Sequence, residues 1–244
     1  KRCEAGTMLK VGDSLELWLC DDVFCEEKDK EFLKTSGKIN VVYEDENILL
    51  VNKPAGLVVH EDDEHTVDTL INRILKYLYD KGEFDPDEEN SFTPSLCNRI
   101  DRNTSGIVAA AKNAEALRLM NMFIKERLLT KQYLCLTEGT PKPRQDTLIA
   151  YLQKDSKNNK VFVTDTKTQF NKTIVTKYEV LKTNKKISLV RVTLITGRTH
   201  QIRAHFASIG HPLLGDGKYG SNKVNRGSGF SYQALYSYKL KFTF

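Results

Sequence analysis

Apolar positions first gather at Val41 to Tyr43 and at Ile48 to Asn52, on either side of the acidic turn Glu44-Asp45-Glu46-Asn47. Two short strands are predicted there. Lys53-Pro54 closes the second, because proline has no N–H to give a ladder. From about Val67 to Tyr79 the period lengthens, and Leu70, Ile71, Ile74, Leu75 and Leu78 share one face of a helix, with Thr66 as its expected cap. Ile107 to Ala111 is a continuous apolar run that reads as a buried strand. Ala114 to Arg127 returns to helical spacing, with Leu117, Met120, Phe123 and Ile124 inward.

Beyond this point the period shortens to two. Lys131 to Thr137, Leu148 to Leu152, Val161 to Val163, Thr173 to Leu181 and Ile187 to Ile195 predict successive antiparallel strands. A helix is expected from about His200 to Ser208, stopped at Gly210, and Tyr232 to Phe244 alternates as a last strand. Many strands with few helices define an α+β fold. The segment from Lys81 to Ser95 carries Glu83, Asp85, Asp87, Glu88 and Glu89 with Pro86 and Pro94, and reads as a mobile acidic loop without the spacing of a calcium site.

With 244 residues, 40% of them hydrophobic and 28% charged, the chain can bury a sizeable core. No apolar run approaches the ~20 residues of a membrane span, and the start has no signal-peptide core, so a cytoplasmic protein with no membrane partner is expected. The five cysteines, Cys3, Cys20, Cys25, Cys97 and Cys135, form no CxxC pair and are expected to be reduced packing thiols. Charge is divided unevenly. Met120 to Arg203 holds 17 Lys and Arg against 6 Asp and Glu, while the rest of the chain is net acidic. That excess suits either a solvated face or a surface for a polyanion.

The candidate chemistry centres on Asn98-Arg99-Ile100-Asp101-Arg102-Asn103-Thr104-Ser105-Gly106. Asp101 is either a turn residue bonding its own backbone or a carboxylate kept ionised by Arg99 and Arg102, fit to act as nucleophile or base. Spacing does not choose between these. His200, His205 and His211 invite a metal reading, but a five-residue step leaves one helical face, and no metal site is expected.

The run RIDRNTSG resembles the HRLDxxTSG motif of the RluA-type pseudouridine synthases. The strand leading into Lys53-Pro54-Ala55-Gly56-Leu57-Val58-Val59-His60 is similar to the family's first motif. Thr196-Gly197-Arg198-Thr199-His200-Gln201-Ile202-Arg203-Ala204-His205 resembles its TGRTHQIRxH, and His211 to Asp216 follows its HPxxGD pattern. The three motifs stand in family order over residues 40 to 244. Asn98 departs from the usual histidine and Ile100 from the usual leucine. The asparagine cannot titrate, and Ile for Leu conserves volume.

The resemblance implies a mainly antiparallel sheet bisected by a cleft, and isomerisation of uridine in RNA without a cofactor. It implies Asp101 as nucleophile or base, Arg203 as its ionic partner, and Tyr133, in Lys131-Gln132-Tyr133, against the target ring. Arg99 would fill the space of a flipped base. Arg102, Arg198, Lys53 and His60 would complete the RNA-binding set. Without the motifs, Tyr133 would be a core aromatic, Arg203 a surface helix arginine and Lys53 a solvated strand end.

Gly6 to Leu17, with Gly12-Asp13-Ser14-Leu15-Glu16-Leu17, is similar to the end of an S4 RNA-binding domain. The expected division is therefore an S4 remnant at 1–20, a linker at 21–37 and a catalytic domain at 38–244. The S4-like start leans toward large-subunit ribosomal RNA over transfer RNA, and a monomer is expected. The rivals are a non-catalytic RNA-binding protein and a glycosidase. The latter is weakened because no second acid stands out in the motifs.

Overall fold

The computed structural model describes residues 8, 10–14, 30–61, 65–88, 92–155 and 160–242, with the backbone alone at 222–224. Of the S4-like segment Gly6 to Leu17, residues 6, 7, 9 and 15–17 lie outside the described residues, as do Cys3, Cys20 and Cys25.

The expected strands form with shifts at their ends, and one short strand, β3, joins them unexpected: β1 (Val41–Glu44), β2 (Ile48–Lys53), β3 (Ser95–Leu96), β4 (Ser105–Ala111), β5 (Thr130–Glu138), β6 (Gln145–Asp155), β7 (Lys160–Thr164), β8 (Lys172–Thr183), β9 (Ile187–Leu194) and β10 (Leu235–Lys241). They make one sheet in the order β1-β2-β4-β10-β5-β9-β8-β6-β7. All of its pairings are antiparallel except β4 with β10, so the α+β expectation holds.

The centre of the sheet is where strand edges part. One edge of β4 runs along β2. Its other edge is shared, with β10 at Ser105 and Gly106 and β3 at Ala110 and Ala111. Gly106 makes the close approach possible. It sits at φ 117°, and a Cβ there would lie 2.3 Å from the Ser237 carbonyl oxygen. A side chain is excluded on both counts.

Helix α1 (Leu70–Asp80) buries Leu70, Ile74, Leu75 and Leu78 against Leu49, Val51 and Val108. Its cap is Thr69, whose side chain accepts from the Asn72 amide at 3.2 Å, and not Thr66. The cause is a bridge between Val58 and Thr69, which keeps the chain extended three residues longer than periodicity suggests. Helix α2 (Ala114–Lys125) is capped by Asn113 and buries Ala116, Met120 and Phe123. Helix α3 (Gln201–Ser208) is buried from Gln201 to Phe206 and ends in a Schellman arrangement, with Gly210 at φ 78° and the His211 amide donating to Phe206 O. A short α4 (Asn222–Gly227) follows.

Two boundaries are corrected. The described end of the expected linker, residues 30–37, already packs on the core, because a 3-10 turn at Glu31–Lys34 buries Phe32 against Tyr79 and Phe84. The acidic loop is pinned as well. Phe84 is buried, Glu83 pairs with Lys81 and Lys112, and Asp87 pairs with Lys30 at 2.7 Å. Cys97 and Cys135 are buried free thiols. No helix among the described residues is long and apolar enough to cross a membrane.

Candidate active site

An open groove of about 760 Å³ lies where β3 and β10 separate. Asp101 occupies a tight turn before β4, closed by the Thr104 amide donating to the Asp101 carbonyl at 3.0 Å. The turn is fastened to the loop after β2. The Gly56 amide donates to Arg102 O at 3.0 Å, and Lys53 donates through Nζ to Pro54 O, Leu57 O and Arg102 O, each at 2.8 Å.

Lys53 is therefore a correction to the expected phosphate contacts. Its side chain is fully buried, and its ammonium is committed to three backbone carbonyls. Burial pushes its pKa down to about 8, with Asp101 opposing. It remains protonated at neutral pH and braces the Asp101 turn.

The cation that meets Asp101 is neither of its sequence neighbours. Arg203 Nη1 donates to Asp101 Oδ2 at 2.9 Å. Arg99 and Arg102 are exposed on the groove wall, where Arg102 Nε donates to Gly56 O at 3.3 Å. The adjacent pair thus does not supply the partner, and Asp101 meets instead the cation that the resemblance implied, across 102 residues of chain. Arg203 is a buried helix residue, 7% exposed, and not the surface arginine its polarity suggests.

Arg203 is itself held by Asp216, a group the sequence reading left without a role. Its Nε and Nη2 donate to the two Asp216 oxygens at 2.7 and 2.9 Å. Asp216 is completely buried and also accepts from the Lys218 and Tyr219 amides. Burial opposes its ionisation, but Arg203 and these amides outweigh that and lower its pKa. Arg203 shows the complementary balance, in which burial is overcome by both carboxylates and the pKa rises. A second acid was therefore present in a motif already noted, at the end of His211 to Asp216. It gives the glycosidase reading no support, because it is sealed behind Arg203 and cannot reach a substrate.

Tyr133, on β5, lines the same groove and is 5% exposed. Burial, reinforced by Asp101, pushes its hydroxyl up to about 12, so it is a neutral phenol at physiological pH. His200 enters α3 at φ 53°, a region uncommon for a residue with a side chain. That conformation sets Nδ1 2.9 Å from the Tyr219 hydroxyl and Nε2 3.9 Å from Asp101 Oδ2. Burial lowers its pKa, against the pull of Asp101.

The three histidines are dispersed. His205 Nδ1 meets Thr176 Oγ1 at 2.9 Å, and His211 Nδ1 meets Glu138 O at 2.9 Å. Arg198 and His60 line the groove with Arg99 and Arg102. Asn98 accepts from the Ala109 amide at 2.8 Å, a structural role that needs no titratable group.

Fold and groove together define an α+β protein that presents an arginine-paired aspartate in a cleft edged with cations. A model of the RNA pseudouridylate synthase family matches residues 47–208, and the chain belongs to that family. It is 39% identical over 208 residues to the RNA pseudouridine synthase MG370 of Mycoplasma genitalium, covering 84% of this chain and 64% of that protein. An RNA pseudouridine synthase of Aquifex aeolicus is 39% identical over 184 residues, covering 75% of this chain and 56% of that one. The chain thus spans less than two thirds of the length of both relatives. Ribosomal large subunit pseudouridine synthase D of Borreliella burgdorferi is 30% identical over 97% of this chain and 72% of its own length. Among solved structures, human RNA Pseudouridylate Synthase Domain Containing 1 superposes with a TM-score of 0.67 at 24% identity, covering 84% of this chain and 79% of that one, a likeness of fold.

Proposed function

We propose that this chain isomerises uridine to pseudouridine in RNA, with large-subunit ribosomal RNA as its substrate. The carrying observation is the 2.9 Å pairing of Arg203 with Asp101 in a groove that also contains Tyr133. Isomerisation breaks the bond between uracil N1 and ribose C1′ and rejoins the base through C5. The reaction is redox-neutral, so the proposal requires no cofactor.

The groove's residues divide the work. Asp101, held by the Arg203 guanidinium, attacks or deprotonates the extruded nucleotide. Tyr133 offers its ring as a wall for the detached base. Arg99 takes the place the base leaves in the stack, and Arg102, Arg198 and His60 meet phosphates or sugars along the rim. The choice of ribosomal RNA draws on the Borreliella relative, a protein named ribosomal large subunit pseudouridine synthase D.

The test measures pseudouridine formed in transcripts of large-subunit ribosomal RNA and, in parallel, of transfer RNA. Asp101→Asn is expected to abolish product while retaining RNA affinity. An undiminished rate in that variant would exclude Asp101 as the reacting group. Product in transfer RNA alone would reassign the substrate, and RNA binding without product from the unaltered protein would favour a non-catalytic RNA-binding protein.

A further inference from the structure

A second concavity, of about 940 Å³, lies on the other side of the Asp101 turn. Its described lining includes Lys160, Arg203, Lys218 and Arg226 and contains no Asp or Glu. Phe230 and Tyr232 stand on its wall at 42% and 44% exposure. Cations interleaved with open aromatic faces are the means by which proteins track a single nucleic-acid strand, since every base has a face to stack and every linkage a charge.

The placement of this groove selects the occupant. Arg102 lines the catalytic groove and Asn103 lines the second, so the two adjoin across consecutive residues, whose Cα atoms are about 3.8 Å apart. Arg203 contributes to both walls. Lys218, on the wall of the second groove, has its pKa lowered by burial and the nearby Arg203 against the pull of Asp101 and Asp216. Lys160 and Arg203 both lie over the Tyr219 ring, at 5.5 and 5.2 Å, and Tyr219 donates or accepts at His200 beside Asp101. A nucleotide flipped onto Asp101 must leave its neighbour in the same strand close to this ridge.

We propose that the second groove binds the RNA strand flanking the target uridine, with its phosphates on Lys160, Lys218 and Arg226 and a base stacked on Phe230 or Tyr232. The inference rests on the synthase reading for its substrate, but its test can fail separately.

The probe is a fluorescently labelled single-stranded RNA of about 20 nucleotides containing uridine, titrated by anisotropy at several salt concentrations. Lys160→Gln with Arg226→Gln is compared with Lys185→Gln with Lys186→Gln, which removes the same charge from the turn between β8 and β9. The groove pair is expected to weaken binding about tenfold and to flatten the salt dependence by about 0.7 per lost phosphate contact. The control pair should do neither. Phe230→Ala with Tyr232→Ala should weaken binding about fivefold or more while leaving the salt slope intact.

Equal affinity and slope in groove and control pairs would overturn the proposal. If the unaltered protein forms pseudouridine and the groove variants behave like the control, the groove proposal fails alone. If it binds RNA through this groove and forms no pseudouridine, the synthase reading fails and the groove stands.

Discussion

Arg203 grips both oxygens of Asp216, at 2.7 and 2.9 Å, with the same guanidinium whose remaining arm reaches Asp101 at 2.9 Å. A bidentate grip fixes the plane of the fork as well as its position. Asp216 therefore decides where Nη1 points, without any access to substrate.

Removing that grip leaves a buried guanidinium short of a partner, which in buried ion pairs costs about 3–5 kcal/mol. Asp216→Ala should lower unfolding stability by that order in urea titrations. Asp216→Asn keeps the shape and loses the charge, so its stability loss should be smaller and its turnover still depressed. An Asp216→Ala protein as stable as the original would refute the role.

Lys53→Met preserves volume but takes the ammonium donor from Pro54 O, Leu57 O and Arg102 O, of which, among the described residues, only Arg102 O keeps another donor, the Gly56 amide. An unsatisfied buried acceptor costs about 1–3 kcal/mol. The variant should lose about 2 kcal/mol in the same titration, with turnover falling as the Asp101 turn loosens. The salt slope of RNA binding should not change. A drop of about 0.7 would instead mark Lys53 as a phosphate ligand.

Gly106→Ala places a methyl 2.3 Å from the Ser237 carbonyl oxygen at a φ of 117°. Backbone must move, so the variant should fall among the severe losses, above about 4 kcal/mol. Circular dichroism on heating would show a much earlier transition or no folded baseline.

His205 supplies an acid sensitivity. Burial lowers its pKa to about 4, whereas an unfolded histidine titrates near 6.5. Between those values the unfolded chain binds the extra proton, so stability rises with pH. The contribution, about 3 kcal/mol by this linkage, is complete above pH 6.5 and lost as pH falls toward 4. His205→Gln should flatten the acid limb of stability against pH, measured by urea midpoints at pH 7 and 4.5. A limb as steep as before would assign the loss to the carboxylates.

Local physics was legible in the sequence. Alternation at Ile187 to Ile195 and the helical face from Leu70 to Leu78 mark β9 and α1 because each element's burial repeats along its own length. What depends on distant partners was not. Phe32 lay in a charged stretch with the composition of a linker, and nothing local announces that it fills a gap beside Tyr79 and Phe84. Arg99 and Arg102 are the nearest cations to Asp101 by adjacency, yet a turn points neighbouring side chains apart and the partner arrives on α3; only the resemblance of the motifs, not local physics, pointed to Arg203. The second acid was visible as a letter in a motif. Its duty became visible only once Arg203 proved to be buried.

Strand β10 follows every other described strand in chain order, yet it is seated between β4 and β5. During synthesis the part bearing Asp101 and the part bearing Tyr133 therefore precede the seam that joins them. Until β10 is seated, β4 and β5 each keep an unpaired edge, so the groove that holds Asp101 and Tyr133 is closed by the last of the described strands to be made.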